Sequence, residues 1–377
     1  MRTPGRTVLL APAGIALLAG IDAGLLRLGI AAPVSAQHLP EVHGPLMVLG
    51  VLGTLIALER AVALRSPLGY AAPALLGAGA LVLAAGLPLT VGQVLLLDGT
   101  VALVLVLTAL WRRRRDDEVL VQVLGALLAA IAALLWVRLE ASVVVPLLVG
   151  FVVLTILAER VELARLHLSA SAGRVLVTLA ILLAGSTVGT LLAPAAGTVA
   201  VGASLLALVG WLAPRDVARR TIHGTGLPRF AAAAMLAGYA WLGAAGLAWV
   251  AAGVLPASGH GLHDVVVHAV FLGFTMSMVL AHAPVILPAV IRLPMPYRPA
   301  LWVPLAALHG GLAVRVAGDL AGSTTVTAVG GYATAAALVL LPLTVLLTVR
   351  AGRVPSAAPA PAPTRPRHLV RSRPMEP

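Results

Sequence analysis

From Val8 to Arg350 the chain is a succession of apolar runs, most near twenty residues long, broken by arginines or short Gly/Pro turns. About twenty apolar residues in a helix cross the hydrocarbon core of a bilayer. A helix satisfies its own backbone there, where no water can. The runs predict an all-α polytopic transmembrane bundle with about twelve spans, at 8–30, 42–64, 70–89, 91–110, 119–138, 143–164, 174–193, 196–213, 230–253, 264–290, 300–317 and 325–349. Composition agrees: 60% of residues are hydrophobic and 11% charged, against about 25% charged in an ordinary soluble domain.

The net charge of +12 comes from 26 basic residues, every one an arginine. With the N-terminus inside and the spans alternating, all but Arg27, Arg138 and Arg315 fall on the cytoplasmic side. That bias is the positive-inside rule, and it predicts both termini inside. It also accounts for the charge without nucleic acid as a partner. Asp22 and Arg27 interrupt the first apolar run, and Ser35-Ala36 lies too far along for a signal-peptidase site, so the first span is read as retained. The helical domain is expected over 1–353. The Pro-, Ala- and Arg-rich stretch at 354–377 has no apolar periodicity and is expected to be a disordered cytoplasmic tail.

The chain has no cysteine, which excludes disulfides, thiolate metal sites, cysteine-held iron–sulfur clusters and covalent c-type haem. No P-loop, dinucleotide-binding glycine turn or HExxH motif occurs. Any cofactor must be held by His, Met, carboxylates or backbone.

Ionisable side chains inside a span are costly and mark function by default. His260 to Ile291 holds four of the ten histidines, two of them within one span. His268 and His282 lie fourteen residues apart, about 21 Å along a helix and on nearly one face. His43 opens the second span at the depth of His268. His309 enters the eleventh span from the opposite side, near the depth of His282. Two pairs are therefore expected, His43 with His268 and His282 with His309. Neutral imidazole ligates iron and copper, and a haem in a bundle needs one or two such ligands beside an apolar slot. Met276 and Met278, next to Phe274, are candidates to line it. Each histidine also has a bland reading, as a hydrogen-bonded packing residue, weaker for His268 and His282 than for His43 and His309.

Other residues are weaker candidates. His38, His260, His263 and Asp264 could form a metal site or proton entry at the outer mouth, or be plain loop residues. Pro284 and Pro288 are expected to kink the tenth span beyond His282. Asp22 and Asp98 could move protons or pair with an arginine, Arg27 being the nearest to Asp22. His167, His223 and His368 receive no role. Gly50, Glu59, Arg60 and Arg65 recur one hundred residues later as Gly150, Glu159, Arg160 and Arg165. Chance and a duplicated helical unit both explain the match, and Val143 replaces His43 in the second copy.

The motifs His268-x4-Gly273-Phe274-x3-Met278-x3-His282-Ala283-Pro284, His43-Gly44-Pro45-Leu46-Met47 and His309 with Ala313-Val314-Arg315 resemble the NnrS family. Those are twelve-helix membrane proteins described as binding haem and copper, linked to bacterial nitric-oxide stress and distantly similar to subunit I of haem-copper oxidases. The resemblance implies His43, His268, His282 and His309 as metal ligands, with Met278 beside the cofactor. It further implies haem, copper as a second metal, a small gaseous ligand and the bacterial cytoplasmic membrane. The three copper-ligating histidines of the oxidases, with their adjacent His pair, are absent, so oxygen reduction by that mechanism is not expected. The expected function is a membrane haem protein in nitric-oxide or redox stress handling. Its rivals are a metal-free proton-coupled permease for a small solute and a scaffold with only packing histidines. Whether the chain is an enzyme stays open.

Overall fold

The computed structural model describes residues 8–254, 260–291 and 295–352. The expected tail at 354–377, with His368, lies outside them. Every element among the described residues is helical. Twelve helices are long and apolar enough to cross a membrane: α1 Leu10–Arg27, α2 Leu39–Leu64, α3 Pro67–Ala84, α4 Leu89–Arg114, α5 Asp117–Trp136, α6 Ala141–Leu163, α7 Ala172–Leu192, α8 Pro194–Arg215, α9 Gly226–Val254, α10 Gly261–Pro288, α11 Pro299–Ala321 and α12 Thr324–Arg350. The chain is a multi-pass membrane protein, and its surface contacts lipid.

Prolines open several spans, as at Pro194 in α8 and Pro299 in α11, where the missing N–H would lack a helical partner anyway. Gly322, at φ +64°, closes α11 in the left-handed conformation that glycine adopts without strain.

Burial sorts the helices. The apolar windows of α2 and α6 are 67% buried and that of α10 is 61%, whereas α1, α4, α8 and α12 reach 33% and α7 only 28%. The centre of the bundle is therefore α2, α6 and α10, with α3, α5 and α9 about half buried around them and α1, α4, α7, α8 and α12 outermost. Helix α6 is apolar on all sides, as a helix buried all round must be, and Leu147, Phe151, Leu154 and Leu157 are fully buried on it.

Polar ties gather the helix ends at two faces. At the arginine-rich face Arg113 donates to the Leu64 carbonyl at 2.9 Å, and Arg165 bonds Asp116 at 3.0 Å. That hydrogen bond, with Glu118 nearby, holds the Arg165 guanidinium above its ordinary pKa. At the opposite face Arg27 donates to the Pro40 carbonyl at 3.1 Å, and Gln93 to the Trp136 carbonyl at 2.9 Å. Asp22 does not pair with Arg27, the nearest arginine, five residues on and poorly spaced for a helical pair. Asp22 accepts instead from the Val34 N–H at 2.8 Å, in the turn after α1.

Two of the three central helices are not α-helical throughout. Leu46–Gly53 in α2 and Ala269–Thr275 in α10 are π-helical. Each π segment follows a histidine, His43 by three residues and His268 directly. Such wide turns are rare and recur at functional sites.

Candidate functional site

The two π segments flank a cavity of about 110 Å³ walled by α1, α2, α6, α10 and α12. His43 and His268 both line it, with Met47, Met276 and Phe271 among otherwise mostly apolar neighbours. The first expected pair is thus brought together. His43 Nδ1 lies 2.9 Å from the Gly20 carbonyl. A carbonyl only accepts, so Nδ1 carries the hydrogen and Nε2 of the neutral ring keeps its lone pair. Gly24 leaves room for the ring: a Cβ there would come within 3.1 Å of His43 Cε1.

His268 is held the same way. Its Nδ1 is 2.9 Å from the Asp264 carbonyl and 3.2 Å from Asp264 Oδ1. That carboxylate is clamped by Arg315 of α11, with Nε to Oδ2 at 2.9 Å and Nη2 to Oδ1 at 3.1 Å. An imidazole with Nδ1–H on a carboxylate and Nε2 free has the posture of a metal-bound histidine. Asp264 therefore orients His268 and is not part of a surface site with His38. His38 instead approaches the Ala84 carbonyl at 3.4 Å. The side chain of His260 lies outside the described residues.

The second expected pair, His282 with His309, is not formed. Trp241 Nε1 donates to His309 Nδ1 at 2.9 Å, so Nε2 carries the hydrogen, and it faces the Ser277 hydroxyl at 3.4 Å. With both nitrogens engaged, His309 is a packing histidine, and it lines neither histidine cavity. Gly273 makes this possible, because any side chain there would collide with the Trp241 ring.

His282 lines a separate cavity of about 170 Å³, nearer the arginine-rich face and below that of His268 along α10. Its Nδ1 donates to the Met278 carbonyl at 2.6 Å, and Arg160 Nη1 approaches Nε2 at 3.2 Å. Arg160 also closes on Asp216, at 2.8 and 2.9 Å from Nη2 and 3.2 Å from Nε. Tyr239 donates its hydroxyl to the same carboxylate at 2.7 Å. Met278 belongs to this cavity, and Met276 stands in the His43/His268 cavity. Leu52, inside the first π segment, lines both.

Residues 6–350 match the family model of a domain of unknown function, DUF8744. The chain belongs to this family. The match runs through all twelve spans, so both cavities of this DUF8744 chain lie inside it. No curated protein matches it.

Sequence reasoning missed Asp216, Tyr239 and Trp241. Asp216 lies in a short arginine-rich connection that reads as an ordinary topogenic loop. Tyr239 and Trp241 sit in an Ala/Gly-rich span that gives no hint of which face they take. A usable signal existed for the partner of Asp216, since Arg160 is one of the residues repeated at the hundred-residue offset.

Proposed function

We propose that this protein is an integral membrane haem protein, in which His43 and His268 would hold the group, acting in nitric-oxide or redox stress handling. One observation carries the reading: two imidazoles on different central helices line one apolar cavity, each with Nδ1–H anchored on oxygen and Nε2 left without a hydrogen-bond partner among the described residues. The donor set fits the group. Among the described residues no three His, Cys, Asp or Glu side chains form a metal-holding group. A haem iron needs only axial ligands from the protein, since the porphyrin supplies the rest. At about 110 Å³ the cavity is smaller than the group as it stands. A tetrapyrrole requires the wall of α1 and α12 to give way, and those are among the less buried helices. Bound there, haem supplies a redox-active iron. Asp264 and Arg315 then fix the His268 ring, and the apolar lining excludes water.

Copper is the second metal implied by the family likeness. The thioethers of Met47 and Met276 in the same cavity suit Cu(I). The arginine bias supports a cytoplasmic membrane location with both termini inside.

The test is the absorption spectrum and metal content of the purified full chain. A Soret band is expected that is lost in His43→Ala and His268→Ala and kept in His309→Ala. A colourless protein with full helicity refutes haem, and stoichiometric copper without haem reassigns the metal. The rival proton-coupled permease rests on the carboxyl groups and His282 around the second cavity. Solute uptake into proteoliposomes, insensitive to chelators and abolished in His282→Ala, would favour it.

A further inference from the structure

The His282 cavity carries charges that metal ligation leaves unused. Glu59 of α2 and Glu159 of α6 both line it. These are the acidic members of the repeated Glu-Arg pairs, and the fold sets them side by side. A single guanidinium serves both: Arg60 Nη2 is 3.0 Å from Glu59 Oε1 and 3.5 Å from Glu159 Oε1. Arg60 is 8% exposed, and its Nε has no hydrogen-bond partner among the described residues.

Among the described residues no other cation is free to help. Arg160 is closed on Asp216, a carboxylate already satisfied by the Tyr239 hydroxyl and the Ala218 N–H at 2.8 Å. Its remaining nitrogen goes to His282 Nε2, whose Nδ1–H is on a carbonyl. Glu162, one turn further along α6, adds only negative charge. From α1 the cavity receives Leu10, and from α10, besides His282, Thr275 and apolar side chains such as Met278 and Leu287. Among the described residues, two carboxylates, one guanidinium and a mostly apolar wall leave an uncompensated negative charge. Adjacent carboxyl groups in such surroundings do not both ionise; they share a proton.

We propose that Glu59 and Glu159 hold one proton between them, as a carboxylic acid–carboxylate pair on Arg60, making the His282 cavity a reversible proton-binding site near the arginine-rich face. Through Leu52 the site adjoins the His43/His268 cavity. The proton site itself requires no metal.

Infrared spectroscopy of the full chain in lipid nanodiscs, with carbon-13 in the glutamate side-chain carboxyls, tests this. At neutral pH one protonated-carboxyl stretch is expected that moves with the label and with deuterium exchange. Glu59→Gln and Glu159→Gln should each abolish it, because the remaining carboxylate then has Arg60 to itself. Glu118→Gln, at a buried carboxylate facing Arg165, should leave it intact. Absence of a labelled band in the unmutated protein overturns the proposal, as does a band surviving in both cavity variants. If those variants do not fold, titration of the labelled unmutated protein decides. Rising pH must then remove a band worth one carboxyl group. The outcome is independent of haem content, so it stands or falls apart from the proposed function.

Discussion

Replacing Asp216 tests how the charged network holds the bundle together. Asp216 is 2% exposed and Arg160 5%. Their contacts join α6 to the connection between α8 and α9, Tyr239 adds α9, and His282 adds α10. Asp216→Asn removes the negative charge and leaves the guanidinium buried without its partner, which costs about 3–5 kcal/mol. Tyr239→Phe removes one hydrogen bond to a charged group, about 1.5–3 kcal/mol. Both act on one carboxylate, so the double variant should fall short of the sum by about 0.5–3 kcal/mol. Arg160→Met with Asp216→Leu removes both charges and should cost less than Asp216→Asn, since no charge is stranded. The assay is reversible denaturant unfolding in mixed micelles, followed by tryptophan fluorescence. An Asp216→Asn variant within about 1 kcal/mol of the unmutated protein would show that the guanidinium finds water or lipid phosphate. So would strict additivity with Tyr239→Phe, and the reasoning would then fail.

Two further outcomes separate the cavity from its surroundings. Gly24→Leu drives a side chain into the space of the His43 ring. It should break the bond to the Gly20 carbonyl, at about 1 kcal/mol, and lower the Soret absorbance per protein while helicity by circular dichroism is kept. Trp241→Phe strands His309 Nδ1 at a cost of about 1–3 kcal/mol in the same unfolding assay, yet the Soret band that the proposed haem would give should not change.

The twelve spans were legible because lipid imposes one rule on every segment: enough apolar residues to cross, with the backbone bonded internally. Hydropathy reads that rule locally, so span number and approximate ends needed no tertiary information. The pairing of His43 with His268 was legible for a related reason, since depth follows from counting residues along a helix. Depth alone does not say which way a ring points. His309 lies near the level of His282, but Trp241 and Ser277 occupy both its nitrogens, and only the packing of α9, α10 and α11 decides that. Helix rotation likewise put Met276 in the two-histidine cavity and Met278 in the other, and the π turns in α2 and α10 have no hydropathy signature. Asp216 and Arg160 are fifty-six residues apart and read as two separate membrane-edge charges. Their union needs a specific helix arrangement. Sequence thus determined how the chain crosses the bilayer, because that depends on the solvent each segment meets. Tertiary structure decided which side chains meet one another, because that depends on how each helix is turned against its neighbours.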